Sequence, residues 1–161
     1  VGIGGLGHLA VQYSRACGFD TIAVTHSADK KKLALELGAD HVVADGKELE
    51  KLGGADVILA TSNSCKQTLD AFSGLRNDGR LIIIGFFNEP LTFKAADLLF
   101  KRARIIGSLQ NGTEMLYEEL DFAARGKVKV MAETFALKDI NKAYEKVAKG
   151  DVRFRAVVSN N

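Results

Sequence analysis

The chain has 161 residues, with 22 lysines and arginines against 20 aspartates and glutamates, which gives a formal net charge of +2. This near-balance excludes the strongly basic composition of nucleic-acid binders and of polybasic membrane-surface proteins. No apolar run reaches the length of a membrane span, so we predict a soluble protein. The two cysteines, Cys17 and Cys65, form no C-x-x-C motif and predict a reduced, cytoplasmic setting.

Short β-branched runs alternate with helical patterns along the chain. The runs are apolar on both faces, as the strands of a parallel sheet covered by helices must be. Between them, apolar residues recur at helical spacing. In chain order, the sequence predicts a helix over 6–17, a strand over 20–24, a helix over 28–37, strands over 40–44 and 55–60, a helix over 65–75, a strand over 80–85, a helix over 95–101, a strand over 103–108, helices over 114–125 and 139–149, and a strand over 155–159.

End signals support several of these helices. Ser64 and Gln67 form a capping box at the start of the third helix. Gly38 and Gly150 each stand where a helix is expected to end. The sequence contains no repeat, linker or low-complexity segment, so the alternating order predicts one α/β domain over 1–161. Its expected architecture is a doubly wound parallel sheet of the Rossmann dinucleotide-binding type.

A glycine-rich loop leads directly into the first predicted helix. Gly2, Gly4 and Gly7 spell G-x-G-x-x-G. The first glycine makes the tight turn, the second lets a pyrophosphate approach the backbone, and the third allows close helix packing, while the helix N-terminus adds free N–H groups. A strand residue, the loop, a helix and a second strand follow in the required order, which favours a dinucleotide site over a turn without a ligand. The expected loop residues are Gly2, Ile3, Gly4, Gly5, Leu6 and Gly7.

Two other nucleotide-binding classes are disfavoured by missing motifs. None of Tyr13, Tyr117 and Tyr144 begins a Y-x-x-x-K sequence, which argues against a short-chain dehydrogenase. The chain contains no G-x-x-x-x-G-K-[ST] sequence either, which excludes a P-loop NTPase.

The stretch after the strand over 20–24 favours NADP. NAD enzymes place an Asp or Glu there, about 20 residues beyond the loop, to bind the ribose 2′-OH. Here Thr25, His26 and Ser27 occupy that position, and the first acid is Asp29, in the helix start. Small hydroxyls can donate to a 2′-phosphate and Lys30 or Lys31 can neutralise it, whereas lysines at a helix N-terminus are otherwise unfavourable. We expect His26 to pack against adenine. NAD and a merely solvated lysine face stay open as alternatives.

Five segments together resemble one known family: GIGGLGHLAVQYSRACG, LALELGADHVV, RLIIIG, RARIIGS and KGDVRFRAVV. They are similar to the zinc-dependent medium-chain alcohol dehydrogenases, and most of all to the cinnamyl alcohol dehydrogenase-like, NADP-dependent aldehyde reductase branch. The likeness covers essentially the whole chain. It implies reversible hydride transfer between NADPH and an aldehyde. It also implies that Thr25, Ser27 and Lys30, which match the family's T-x-S-x-x-K motif, contact the 2′-phosphate.

The resemblance places further residues at the cofactor. It implies that the ends of the later strands line the nicotinamide side, and that Arg155, the second arginine of VRFR, contacts a phosphate. Without the resemblance, Arg155 could equally be an exposed charge before the last strand. The residues expected on the nicotinamide side are Thr61, Gly85, Phe86, Ser108 and Leu109.

The family's catalytic domain precedes this region and carries the zinc ligands and proton-relay residues. Catalytic zinc needs three converging protein ligands, and His8, His26, His41, Cys17 and Cys65 form no zinc motif here. The sequence has neither a signal peptide nor an initiator Met. We therefore expect a nucleotide-binding fragment that holds no catalytic residue or metal and is inactive alone. The alternatives are a free-standing NAD(P)-binding or redox-sensing module and a zinc-free quinone reductase of the same superfamily.

Two late segments predict self-association. They are PLTF at 90–93 and RIIGSLQ at 104–110, the candidate sheet edges, since proline is tolerated at an edge but not in a central strand. An uncovered apolar edge is a liability in a monomer, and the resemblance implies dimers whose sheets join at an edge. We expect a homodimer. The alternative is a monomer whose edge is blunted by nearby lysines and arginines.

Overall fold

The computed structural model describes residues 1–109 and 112–160 as helices that alternate with parallel strands, which confirms the predicted α/β fold. Within these residues, none of the helices is long and apolar enough to span a bilayer. The elements are α1 Gly7–Ala16, β1 Ile22–Val24, α2 Ala28–Glu36, β2 His41–Val43, α3 Gly46–Lys51, β3 Ala55–Ala60, α4 Cys65–Phe72, β4 Leu75–Ile83, α5 Ala95–Lys101, β5 Arg104–Gly107, α6 Thr113–Ala124, β6 Ala132–Ala136, a 3₁₀ turn Leu137–Asp139, α7 Ile140–Lys149 and β7 Arg155–Ser159.

The described strands pair in parallel within three groups, β1–β2, β3–β4–β5 and β6–β7. Val1 and Gly2 connect the first two groups. The Gly2 N–H donates to the Val24 carbonyl at 3.0 Å, the Val1 amine donates to the Leu59 carbonyl at 2.7 Å, and the Thr61 N–H donates to the Val1 carbonyl at 3.1 Å. Strands β1 and β3 therefore both end beside the segment that leads into α1.

Apolar side chains cover both faces of β1, because successive residues of a strand point to opposite sides. Val24 lies in a cluster with residues of α3 and α4, whereas its neighbour Ala23 lies in a cluster with residues of α1 and α2. The first cluster comprises Val24, Val43, Leu49, Ile58, Ala60, Ala71, Phe72, Leu75 and Leu81. The second comprises Ile3, Val11, Ala23, Ala34, Ala39 and Phe154. Helices thus shield the sheet from both sides, which makes the domain doubly wound.

Two elements, α3 and β6, are absent from the sequence prediction. Helix α3 is polar, but a reciprocal capping box starts it: the Asp45 carboxylate accepts from the Glu48 N–H at 2.8 Å, and the Glu48 carboxylate accepts from the Ala44 N–H at 2.7 Å. That D-x-x-E signal is visible in the sequence. Strand β6 has no comparable local signal, because its partner β7 lies beyond the whole of α7.

The predicted boundary between α4 and β4 is wrong. Helix α4 ends at Phe72 rather than at position 75, because a turn follows in which the Gly74 N–H donates to the Ala71 carbonyl at 3.1 Å. Strand β4 then begins at Leu75, which pairs with Ala55 at the start of β3. The strand is longer than its apolar run because pairing with β3 extends it through polar residues.

One of the two candidate sheet edges is also wrong. The PLTF segment at 90–93 forms no strand, because the Phe93 ring turns inward and packs edge-on against Phe72, with ring centroids 4.9 Å apart. The other candidate, 104–110, contains β5, which is the last strand of the β3–β4–β5 group. Its final residue, Gln110, lies outside the described residues.

His8 fastens α1 to the segment that precedes β6. Its side chain is fully buried: Nδ1 donates to the Gly4 carbonyl at 2.9 Å, and Nε2 accepts from the Met131 N–H at 3.2 Å. The ring also stacks on Phe154, with centroids 4.9 Å apart. Desolvation by burial lowers the pKa of His8. The neutral imidazole with its proton on Nδ1 satisfies both hydrogen bonds, and protonation of Nε2 would break the contact with Met131.

We expect the chain to lose stability in mild acid through His8. The folded-state pKa of His8 lies below that of the unfolded chain, so the unfolded state binds more protons below about pH 6.5. The free energy of unfolding therefore decreases as the pH is lowered through this range. Urea denaturation between about pH 7.5 and about pH 5.5 measures this dependence. The His8→Gln variant, which lacks the titrating ring, should show a shallower slope. An NMR titration that gives His8 a pKa above the ordinary histidine value would contradict the prediction.

Candidate functional site

The glycine loop packs tightly on one side and is open on the other. A Cβ added to Gly7 would lie 1.8 Å from the Gly2 carbonyl oxygen, and a Cβ on Gly2, whose φ is +85°, would lie 2.9 Å from the Ser62 Cβ. Neither position can accept a larger residue without a backbone shift. A Cβ on Gly4, in contrast, would meet nothing within 4 Å. The close packing expected at the third glycine is seen at Gly7, the positive φ of Gly2 is consistent with the tight turn expected at the first, and Gly4 faces open space.

The open side of the loop presents unpaired donors. Within the described residues, the N–H groups of Gly4, Gly5 and Leu6 find no hydrogen-bond acceptor, as is usual at the N-terminus of a helix. Ile3 is buried at 3 % exposure and anchors the loop beneath them. Because these amides lie at the positive end of the α1 dipole, the loop suits an anionic group such as a pyrophosphate.

Arg155 adds a cation beside the same loop. A Cβ on Gly5 would lie 3.6 Å from the Nε and Cζ atoms of Arg155, so the guanidinium lies next to the glycine backbone. Arg155 is exposed and begins β7. Its phosphate-contacting role stays a prediction, but the structure brings it to the loop across nearly the full length of the chain.

Thr61 braces the loop from below. Its hydroxyl lies within hydrogen-bond distance of two carbonyl oxygens, those of Val1 at 2.9 Å and Gly2 at 2.8 Å. A Cβ on Gly7 would also come within 2.9 Å of the Thr61 hydroxyl. Thr61 therefore stands under the glycine turn at the end of β3, whereas the resemblance places it on the nicotinamide side.

The remaining residues expected on the nicotinamide side follow the ends of β4 and β5. The Gly85 N–H donates to the Ala60 carbonyl at 2.9 Å, and a Cβ on Gly85 would lie 1.9 Å from the Ser62 carbonyl oxygen. The Ser108 N–H donates to a β4 carbonyl at 2.9 Å. Phe86 and Leu109 project outward, at 82 % and 92 % exposure. All of them lie at the carboxyl edge of the parallel sheet, where ligands of such folds bind.

The stretch after β1 presents a hydroxyl-rich turn. The Thr25 side chain is buried, and its hydroxyl accepts from the Ser27 N–H at 3.4 Å. His26 is exposed, in position to contact a ligand. Ser27 is the N-cap residue of α2, and Lys30 lies half-buried in the first turn of that helix. The structure thus brings the four predicted residues together at one end of α2.

Asp29 and Arg153 also belong to this cluster, although the sequence does not mark them as site residues. The Asp29 carboxylate accepts hydrogen bonds from the Ser27 hydroxyl and from Arg153 Nη2, the latter at 2.6 Å. These two donors lower the pKa of Asp29 to about 2. Arg153 and Asp29 are 124 positions apart, so no local pattern could pair them. The only sequence signal is the repeated arginine of VRFR.

Within residues 1–109 and 112–160, no group of three or more His, Cys, Asp or Glu side chains could hold a metal ion. The side chains of this part of the chain therefore do not fit a catalytic zinc ion, which needs three protein ligands. The site's chemistry rests on glycine backbone, hydroxyls and cations, a donor set suited to phosphate groups.

Comparison with known proteins places these features in a family. Residues 5–125 match the family model described as a zinc-binding dehydrogenase. The chain is 35 % identical over 161 residues to the NADP-dependent alcohol dehydrogenase C 1 of Mycolicibacterium smegmatis, and 37 % identical over 163 residues to a probable cinnamyl alcohol dehydrogenase of Pinus taeda. Each match covers 98 % of this chain. The alcohol dehydrogenase of Aeropyrum pernix has a similar structure, with a TM-score of 0.89 at 34 % identity, over 98 % of this chain and 48 % of that one.

The matched region is only part of each relative. The chain spans about half the length of the curated relatives it matches, 46 % of the first and 45 % of the second. The family match covers most of the chain, from the second half of the glycine loop to the end of α6. The chain therefore belongs to the zinc-binding dehydrogenase family, as its resemblance to the zinc-dependent alcohol dehydrogenases predicts.

Proposed function

We propose that this chain is the cofactor-binding part of an NADP(H)-dependent alcohol dehydrogenase, in which a hydride passes between the nicotinamide and a small alcohol or aldehyde. One observation carries the proposal: three features lie together at the N-terminus of α1. They are the open face of Gly4, the unpaired amides of Gly4, Gly5 and Leu6, and the Arg155 guanidinium. That combination suits the pyrophosphate of a dinucleotide. The names of the relatives, an alcohol and a cinnamyl alcohol dehydrogenase, support the substrate class.

In this proposal the chain's residues bind and orient the cofactor. A bound nicotinamide dinucleotide supplies the hydride. The Thr61 hydroxyl donates to one of the neighbouring Val1 and Gly2 carbonyls, which supports the loop with its amides turned toward the ligand. The exposed Phe86 and Leu109 side chains lie where the nicotinamide half would extend along the sheet edge, and they can cover its apolar face.

The preference for NADP rests on the end of β1. Thr25, His26 and Ser27 follow that strand, and no acidic residue stands among them. Ser27 and Lys30 lie in the first turn of α2, where a 2′-phosphate would also meet the positive end of the helix. The Mycolicibacterium relative is named as NADP-dependent.

We expect NADPH to bind at least about tenfold more tightly than NADH, since the hydroxyls and Lys30 have no phosphate to contact in NADH. Lys30→Glu should abolish or reverse this preference, because a carboxylate there repels the 2′-phosphate. Titration calorimetry on the chain with each cofactor measures both effects. The matched control is Lys47→Glu, the same charge change in the first turn of α3, which should keep the wild-type preference. Equal or stronger binding of NADH by the wild type would contradict the choice of NADP.

Two glycine substitutions should separate binding from folding. Gly4→Ala places a methyl group between the loop amides and the ligand, so ADP-ribose binding should weaken by at least about tenfold. The unfolding free energy should stay within about 1 kcal/mol of the wild type, since the Cβ meets no protein atom. Gly7→Ala should instead lower the unfolding free energy by about 3 kcal/mol, because its Cβ overlaps the Gly2 carbonyl. Calorimetry and urea denaturation measure the two quantities. Full ADP-ribose affinity in Gly4→Ala would refute the proposed pyrophosphate site.

We further propose a homodimer joined through β5. This strand ends the β3–β4–β5 group, and its four residues are exposed, with Ile105 at 38 % and Ile106 at 40 % exposure. The Ser108 N–H faces β4, and N–H directions alternate along a strand, so the Ile105 N–H faces the free edge. A second copy that adds its β5 there would pair these backbone groups and cover the apolar side chains.

Sedimentation equilibrium at about micromolar concentration tests the dimer, and we expect twice the monomer mass. Ile105→Pro removes the edge N–H and should shift the mass to that of a monomer. Ile105→Thr is the matched control, because it shortens the same side chain but keeps the N–H, and it should remain a dimer. A monomer mass for the wild type would count directly against this interface.

A further inference from the structure

The fold brings a carboxylate to the position that the sequence leaves free of acids. No Asp or Glu ends β1, which is the sequence basis for a 2′-phosphate site. Asp29 enters that position from the first turn of α2, where its carboxylate accepts from the Ser27 hydroxyl and from Arg153 Nη2. The Asp29 and Arg153 side chains keep 54 % and 49 % of their surface exposed, so a ligand can reach the pair.

We infer that Asp29 is an internal competitor of the 2′-phosphate and determines how strongly the site discriminates between 2′-phosphorylated and unphosphorylated dinucleotides. The inference rests on the proposed function. A serine hydroxyl carries one proton, so Ser27 cannot donate to Asp29 and to a phosphate oxygen at once. The Asp29 carboxylate also repels a phosphate that approaches Arg153. An unphosphorylated ribose meets no such conflict, because its 2′-OH can donate to the same carboxylate.

The surroundings of Asp29 allow this exchange of partners. An open cavity of about 330 Å³ borders the carboxylate and is lined by both Asp29 and Arg153, so the Asp29 side chain has room to change its conformation when a phosphate takes over Ser27 and Arg153. Lys32 lines the same cavity, where its Nζ lies 3.8 Å from the Glu36 carboxylate, and it is 84 % exposed, so it can also approach the displaced Asp29 carboxylate. The lining residues are Asp29, Lys32, Leu33, Glu36, Met131 and Arg153.

A purely positioning role for Asp29 predicts effects of the opposite sign. If Asp29 only held Arg153 in place for the phosphate, its neutralisation would release the arginine and weaken binding of a 2′-phosphorylated ligand. If Asp29 competes, the same change strengthens that binding. Removal of Arg153 weakens it in both cases. The signs of the Asp29 and Arg153 effects are therefore opposite for a competitor and equal for a positioning residue.

The test uses two probes that differ only in the phosphate, ADP-ribose and 2′-phospho-ADP-ribose, titrated into the chain by calorimetry. The measured quantity is the affinity for 2′-phospho-ADP-ribose divided by the affinity for ADP-ribose. In Asp29→Asn this ratio should be about fivefold higher than in the wild type, which is the expected effect of removing one screened like-charge contact. Arg153→Gln should shift the ratio in the other direction by a similar factor. Glu50→Gln is the matched control, because it removes one negative charge from an exposed position of α3 that does not line this cavity, and it should leave the ratio unchanged.

Each outcome decides the matter. An unchanged or lowered ratio in Asp29→Asn, with ADP-ribose binding intact, would overturn the competition and leave the proposed function standing. An equal rise in Glu50→Gln would also overturn it, since general charge would then explain the effect. A wild-type chain that binds neither probe would overturn the proposed function itself. Thermal denaturation of each variant checks that the fold is retained, and if Asp29→Asn is unfolded, Asp29→Ser gives the same comparison without the charge.

Discussion

One close backbone contact governs the geometry of the site. Gly7, the first residue of α1, approaches the Gly2 carbonyl so closely that a Cβ would lie 1.8 Å from the oxygen. The Thr61 hydroxyl holds the same carbonyl at 2.8 Å from the end of β3, and the Gly2 N–H is paired with the end of β1. The first turn of α1 is thus fixed against two strand ends, with its unpaired amides on the open side. The Gly7–Gly2 contact therefore fixes the position of any ligand that binds to those amides.

The two arginines of the site come from the far end of the chain, and the buried His8 ring is one of the contacts that position them. Phe154 stacks on the buried His8 ring, so the two residues that flank Phe154 are carried to the start of α1. Arg155 comes to lie beside Gly5, whereas Arg153 reaches the first turn of α2. This aromatic contact acts together with the hydrogen bonds from the Phe154 and Arg155 N–H groups to the Met131 carbonyl, and the result is one guanidinium at each of two neighbouring helix N-termini.

The start of α2 shows how the chain balances its own charges. Three lysines in succession, Lys30, Lys31 and Lys32, oppose the dipole of the helix, and the sequence suggests that a bound anion relieves this conflict. The structure shows an anion already present, because Asp29 lies in the same turn and accepts from Ser27 and Arg153. The Asp29 side chain thus offsets part of this positive charge, and an incoming phosphate would meet Ser27 and Arg153 already hydrogen-bonded to a carboxylate.

The sequence by itself determined the alternating order of elements, the both-faces-apolar strands and the glycine loop, because periodicity, capping and glycine position are local properties of the chain. It also marked Arg155 only through a family resemblance, since nothing nearby shows what that side chain meets. Tertiary structure alone decided the pairing of β6 with β7, the inward turn of Phe93, and the contact between Asp29 and Arg153. These features join residues that lie well apart in sequence, and their geometry depends on the packing of complete elements against one another, which no local pattern encodes.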